Sequence, residues 1–313
     1  MDISIIINQM LILFIIMGVG YLLNKTHILG RHIDGYLTKF IIHCTMPAMV
    51  LASVLGKEGG ADKTKVLEFL LISVVMYLLL PLLAAAIIHI LPFKSNKGLY
   101  QFMIIFGNVG FMGFPLINAL FGETAILYAG VFNMIFNFMA YSYGIIIVAN
   151  DNKESNKDVK LSAKLILSPG ILAAVLALVI YFAGLKFPDV INSPVSMIGN
   201  ITSPLAMLII GSTLANMDLK DVFTDLKVYS FCILRGLVLP AIYMGLIMLF
   251  IKDEYLAEFT FIMALMPVAN TSVLYAKEYN SDESLAAKCV FISTVLSIIT
   301  IPLWAFIFQS VAL

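Results

Sequence analysis

The chain has little charge. Of its 313 residues, 12% are Asp, Glu, Lys or Arg, whereas soluble domains carry about 25%. Apolar residues make up 61%, an excess that a soluble body of this size has too little polar cover to hide. Net charge is zero, so no basic face suggests nucleic acid and no acidic tail suggests a cation buffer. Cysteine is scarce too. Cys44, Cys232 and Cys289 are isolated inside apolar runs, which excludes a disulfide framework and a CxxC zinc site and leaves them as small packing residues. His27, His32, His43 and His89 lack ligand spacing. No HExxH motif and no nucleophile–base pair is present, which argues against an intramembrane enzyme. No motif asks for a cofactor or a metal.

What the sequence does have is long apolar runs. A bilayer crossing needs roughly 20 apolar residues, and ten segments qualify: about 3–23, 35–55, 66–91, 99–120, 123–149, 161–185, 190–216, 228–250, 256–279 and 284–310. They are continuously apolar rather than alternating, so they are expected as helices, not as strands of a barrel. The first run follows Asp2 and has no lysine before it, so it reads as a retained span rather than a cleaved signal. The expected fold class is therefore an all-α integral membrane protein of ten transmembrane helices.

The longest polar stretch, Asn150 to Lys160, has five spans on either side. The chain divides there into a first repeat (1–150), a linker (151–160) and a second repeat (161–313). Five is odd, so the second half enters the membrane with opposite polarity and homologous halves would form an inverted repeat. Internal marks agree in register. Pro47 and Pro204 are offset by 157 positions, and Pro81 and Pro240 by 159. With the N-terminus outside, thirteen Lys and Arg fall on the cytoplasmic side and five outside. The positive-inside rule thus places both termini outside and the linker in the cytoplasm.

The fourth and ninth spans are poor material for continuous helices. The fourth reads Gly107-Asn108-Val109-Gly110-Phe111-Met112-Gly113-Phe114-Pro115, and the ninth Met266-Pro267-Val268-Ala269-Asn270-Thr271-Ser272. Glycine loosens a helix, and proline removes a donor and clashes one turn back. Asn108 and Asn270 are offset by 162 positions. Matched interruptions in two halves are a sequence pointer to a transporter binding site, where half-helix N-termini meet an anion. The candidate substrate-binding residues are Gly107, Asn108, Gly110, Gly113, Pro115, Pro267, Asn270, Thr271 and Ser272, with Asn133 and Asn137 of the fifth span. The last two are four apart and share a face; they extend a polar cavity or bond a neighbouring helix. Arg235, within the eighth span, either counters an anionic substrate or caps carbonyls of a broken helix. The second role is favoured because no membrane carboxylate is an evident partner. Lys277 ends the ninth span, where position suggests a snorkelling anchor.

On these residues the chain resembles the auxin efflux carrier family, which includes plant PIN proteins and bacterial permeases for malate or malonate. The resemblance runs over essentially the whole chain. It is strongest in Asn108-Val-Gly-Phe-Met-Gly-Phe-Pro115 and from Pro267 through Ala276-Lys-Glu-Tyr-Asn280, and it extends to Arg235-Gly-Leu-Val-Leu-Pro240 and Pro47. It implies a scaffold of spans 1, 2, 6 and 7 that dimerises, and a transport domain of spans 3–5 and 8–10 whose broken helices cross. It also implies an elevator movement of a substrate carboxylate, with Asn108 binding it, Asn133 a polar site position and Lys277 a lysine below the site. Ser272 stands where plant members have a second proline, and the long cytoplasmic loop of many plant carriers is absent. The first departure implies a differently shaped crossing; the short loop, with lysine far outnumbering arginine, suits a bacterial inner-membrane permease for small organic anions. An anion channel, or a sodium- or proton-coupled symporter of the same fold, are the alternatives. No membrane aspartate or glutamate stands out as a proton relay, which favours uncoupled movement.

Overall fold

The computed structural model describes residues 3–55, 63–91, 93, 95–152, 169–216 and 225–312. The structure is all-helical, with no strand among the described residues. In chain order the helices are α1 (Ile3–Lys25), α2 (Arg31–Ala52), α3 (Lys63–Ile90), α4 (Lys97–Ile105), α5 (Val109–Phe121) and α6 (Ala125–Asn152). They continue as α7 (Pro169–Ala183), α8 (Asp189–Ala215), α9 (Lys227–Phe250), α10 (Glu254–Ala264), α11 (Thr271–Glu278) and α12 (Glu283–Ala312). Seven of them, α1, α2, α3, α6, α8, α9 and α12, are long and apolar enough to cross a bilayer, and α5 and α7 are shorter apolar helices. Residues 153–160 of the expected linker and 161–168 of the expected sixth span lie outside the described residues.

Membrane helices invert the soluble pattern, and α1 shows it. Ile6, Met10, Leu13 and Met17 recur at helical spacing and are buried, while Ile15 and Leu22 on the other face are more than 60% exposed. A chain that left such residues to water would aggregate; lipid accepts them. The buried stripe packs most extensively on α8. Small residues permit that approach: a Cβ on Gly20 would run into the backbone of Leu208, and one on Gly211 into the backbone of Met17. Helices α7 and α8 both pack on α2, α7 also packs on α6, and α3 packs on α4 and α6.

Prolines shape the long helices through π-turns. Ile41–Thr45 in α2, Val109–Gly113 in α5 and Leu234–Val238 in α9 are each a single π-turn, and Pro47, Pro115 and Pro240 follow two residues later. Proline clashes with the carbonyl four residues back, and widening the turn relieves that clash. In α9 the carbonyl concerned is that of Gly236, which accepts a hydrogen bond from Trp304 Nε1 on α12 at 2.9 Å. The bond lost to proline is replaced by one between helices.

Candidate functional site

Where the fourth span was expected, α4 stops at Ile105 and α5 starts at Val109; where the ninth was expected, α10 stops at Ala264 and α11 starts at Thr271. The two unwound stretches meet. They run antiparallel through a bridge between Gly107 and Val268. The Asn108 amide donates to the Pro267 carbonyl at 2.7 Å, and the Ala269 amide to the Phe106 carbonyl at 3.2 Å. Each break thereby satisfies backbone groups that the other exposes, as burial away from water requires. The Val268 amide donates to Ser293 Oγ on α12 at 3.1 Å, and Ser272 Oγ donates to the Ala269 carbonyl at 2.7 Å.

Gly107 is glycine because of what lies beside it. A Cβ there would stand 2.7 Å from a guanidinium nitrogen of Arg235 and 3.1 Å from the Met266 carbonyl oxygen. Arg235 is 6% exposed and touches both breaks. Its two terminal nitrogens donate to the carbonyls of Ile104 (2.7 Å) and Met266 (2.8 Å). These carbonyls lie where α4 and α10 run out, so Arg235 caps the negative ends of two half-helices. These bonds are the carbonyl capping that the sequence favours for Arg235.

Asn108 is buried, with 4% exposure. Its side-chain oxygen accepts from the Phe111 amide at 3.3 Å and so caps α5. That bond fixes which way the side-chain amide points. The oxygen faces the helix, and Nδ2 is left buried without a partner. Thr271 Oγ1, at the start of α11, is likewise buried and unpartnered. Both residues line one cavity of about 80 Å³, together with Gly107, Gly110, Asn133, Asn137 and Asn270. The structure thus brings seven of the candidate residues to a single space. Its apolar walls are Ile42, Met46, Phe111, Phe136 and Tyr141.

The other candidates lie elsewhere. Pro115 lines a second, larger cavity of about 410 Å³, along with Gln9, Met49, Ser53, Asn118 and Glu123. That cavity sits toward the face carrying the N-terminal end of α1, whereas Tyr141 and Gly170 place the smaller one toward the opposite face. One helical turn separates the two: Met46 from Met49 on α2, and Phe111 from Phe114 on α5. Gly113 faces Met263 and Met266, whose sulfur and carbon atoms would stand 3.2 and 3.6 Å from a Cβ. Pro267 and Ser272 hold backbone rather than line the cavity. Lys277 is exposed, 4.0 Å from Glu283.

Two features escaped the sequence reading. Tyr141 continues the spacing of Asn133 and Asn137 by four more residues and lines the same cavity, a periodicity that identifies it. Asp34 is the other. The second span was expected from 35, but α2 begins at Arg31 and Asp34 is 6% exposed. Ser212 Oγ on α8 donates to its Oδ2 at 2.7 Å and accepts from Asn24 Nδ2 on α1 at 2.9 Å. A buried carboxylate does therefore exist, away from the crossing, joining α1, α2 and α8.

Comparison with known proteins assigns the family. A family model described as membrane transport protein matches residues 5–305. The chain belongs to this family. It is 26% identical over 310 residues to an uncharacterised transporter of Methanocaldococcus jannaschii, covering 96% of this chain and 98% of the relative. An uncharacterised transporter of Escherichia coli K12 is 21% identical, with 98% of each chain covered. A Rhizobium meliloti protein bearing the name "Putative malonate transporter" is 22% identical over 89% of this chain and 88% of its own length. The chain is thus a membrane transporter with several spans, and not an enzyme.

Proposed function

We propose that this transporter is a secondary carrier of small organic anions, mono- or dicarboxylates of the size of malonate or malate, whose substrate carboxylate binds where the two broken helices cross. The observation that carries the reading is the pair of buried, unpartnered polar atoms, Asn108 Nδ2 and Thr271 Oγ1, one from each break and both at the same cavity. Leaving such groups unmade is costly, and a carboxylate supplies the acceptors they lack. The malonate named for one relative is consistent with a cavity of this size.

The carrier has two bodies in this reading. Helices α1, α2, α7 and α8 form a scaffold, and α3–α6 with α9–α12 form the moving part. The two cavities, one turn apart along α2 and α5 and toward opposite faces, suit alternating access by an elevator step past Met46 and Met49. The ten spans form two inverted five-helix repeats with both termini outside, and two copies pair through the scaffold. In coupled carriers, the carbonyl ends of broken helices hold the driving ion; here those ends already bind Arg235. Movement is therefore driven by the substrate gradient and the membrane potential.

The test is flux in proteoliposomes. Asn108→Ala should abolish transport of labelled malonate or malate while the protein still elutes as a folded species. Saturable wild-type flux unaffected by a sodium gradient is expected; full transport by Asn108→Ala would remove the site, and unitary currents would replace the carrier with a channel.

A further inference from the structure

We infer that the crossing is matched to one negative charge, so that this carrier takes its substrate as a monoanion even when the carbon skeleton bears two carboxyl groups. The inference rests on the carrier reading and names the ionic form that the same site accepts.

Four half-helix ends meet at the crossing, and each carries roughly half an elementary charge. The ends of α4 and α10 are negative. Arg235 brings one full positive charge to them, with a nitrogen on the Ile104 carbonyl and another on that of Met266, so this side sums to about zero. The starts of α5 and α11 are positive, and neither has an acidic residue in its first turn. Asn108 caps α5 with a neutral amide rather than a carboxylate. None of the residues lining the small cavity is Asp, Glu, Lys, Arg or His. What a ligand meets there is therefore about one positive charge in total, supplied by backbone.

The hydrogen-bonding groups agree with that sum. The two unpartnered buried atoms, Asn108 Nδ2 and Thr271 Oγ1, suit the two oxygens of one carboxylate. Beyond them the cavity offers the neutral amides of Asn133 and Asn137 and the walls of Phe111, Phe136 and Tyr141. A second carboxylate would lie among these with no cation to offset its lost hydration, which is expensive for an ionised group. An uncharged carboxyl, amide or hydroxyl at the same place finds partners in the two asparagines. Lys277 does not change the balance, since it is exposed and beside Glu283.

The experiment compares isosteric pairs that differ by one charge: oxamate with oxalate, malonamate with malonate, and succinamate with succinate. Binding to the purified full chain is read by thermal shift and calorimetry at about pH 8, where carboxyl groups of these acids are ionised. In whichever pair binds, the monoanion should bind at least about tenfold more tightly, as expected for one uncompensated charge in a partly dry site. A second arm places a cation at the rim. Asn137→Lys should reverse the order within that pair. A dianion binding as tightly as its monoanion partner overturns the inference and leaves the carrier reading standing. If Asn137→Lys does not fold, the wild-type pairs decide alone. If no pair binds, the reading of the site as a small-carboxylate site falls, and this inference with it.

Discussion

The two breaks perform the same task with different chemistry. The first is built on close approach: Gly107 makes room for Arg235, Gly110 faces Met46 and Gly113 faces Met263, each at contact distance for a Cβ that is not there. Its polar residue does two things, since Asn108 caps α5 with its oxygen and presents a nitrogen to the cavity. The second break holds itself with hydroxyls. Ser293 takes the Val268 amide, Ser272 donates to the Ala269 carbonyl, and Asn270 makes no capping bond at all. At the first break shape and binding are joined in the same residues; at the second they are separated. Substitutions should therefore damage stability and binding together at one and singly at the other.

The largest effect is expected where the comparison disappears, at the residue both breaks share. Arg235→Met leaves the Met266 carbonyl buried without a donor, the Ile104 carbonyl with only the Tyr243 hydroxyl at 3.4 Å, and two negative helix ends without a countercharge. Removing one member of such a buried set costs about 3–5 kcal/mol. Arg235→Lys should recover only part of this, because an ammonium lacks the planar fork that reaches two carbonyls. Thermal unfolding in detergent checks both, and an unchanged midpoint for Arg235→Met would refute the capping role. Gly107→Ala comes next. Its Cβ would meet the guanidinium at 2.7 Å and the Met266 carbonyl at 3.1 Å, so overpacking should cost about 1–3 kcal/mol and shift Arg235 off its carbonyls, with flux falling alongside the midpoint.

The first break was the more legible of the two in the sequence, and the reason is physical. Glycine at every third position before Pro115 contradicts a spanning helix on its own terms. The second break shows a single proline at Pro267 and was identified mainly by register with the first. The cavity followed from polar residues on apolar spans, where cost makes them conspicuous. Arg235 was visible for the same reason, but only coordinates choose between substrate and carbonyl as its partner. Asp34 was not legible as a buried group. It sits among Arg31, His32 and Lys39, a composition that reads as a solvated end, and its burial comes from Ser212, far along the chain. Gly113 and Pro115 were grouped with the site because they lie in the same run; one turn of helix is enough to place Pro115 on the other cavity and Gly113 against methionine.

Asn108→Asp separates the two roles that the first break joins. A carboxylate oxygen still accepts from Phe111 and suits the positive start of a helix, so the fold should be retained. The nitrogen donor is gone, however, and the cavity's positive charge is consumed, so anion binding should be lost altogether. Ser293→Ala acts on the second break alone. The buried Val268 amide is left without its acceptor, for a loss of about 1–3 kcal/mol in stability, read from the unfolding midpoint, with affinity for the anion changed less than by any substitution at Asn108.

The smallest stability effect should come from Asn270→Ala, and it is the sharpest test of the asymmetry. Asn270 and Asn108 occupy corresponding places before α11 and α5, yet the Asn270 side chain makes no bond to the helix it precedes, while that of Asn108 does. Alanine at a capping asparagine costs about 0.5–2 kcal/mol; at an asparagine that caps nothing it should cost less than about 0.5. Binding should still weaken, because Asn270 lines the cavity. The expected pair is thus a lower midpoint and lost binding for Asn108→Ala against an unchanged midpoint and reduced binding for Asn270→Ala. Equal drops in midpoint for the two would mean that the breaks are built alike, and that the division of labour between glycine packing and hydroxyl bracing does not hold.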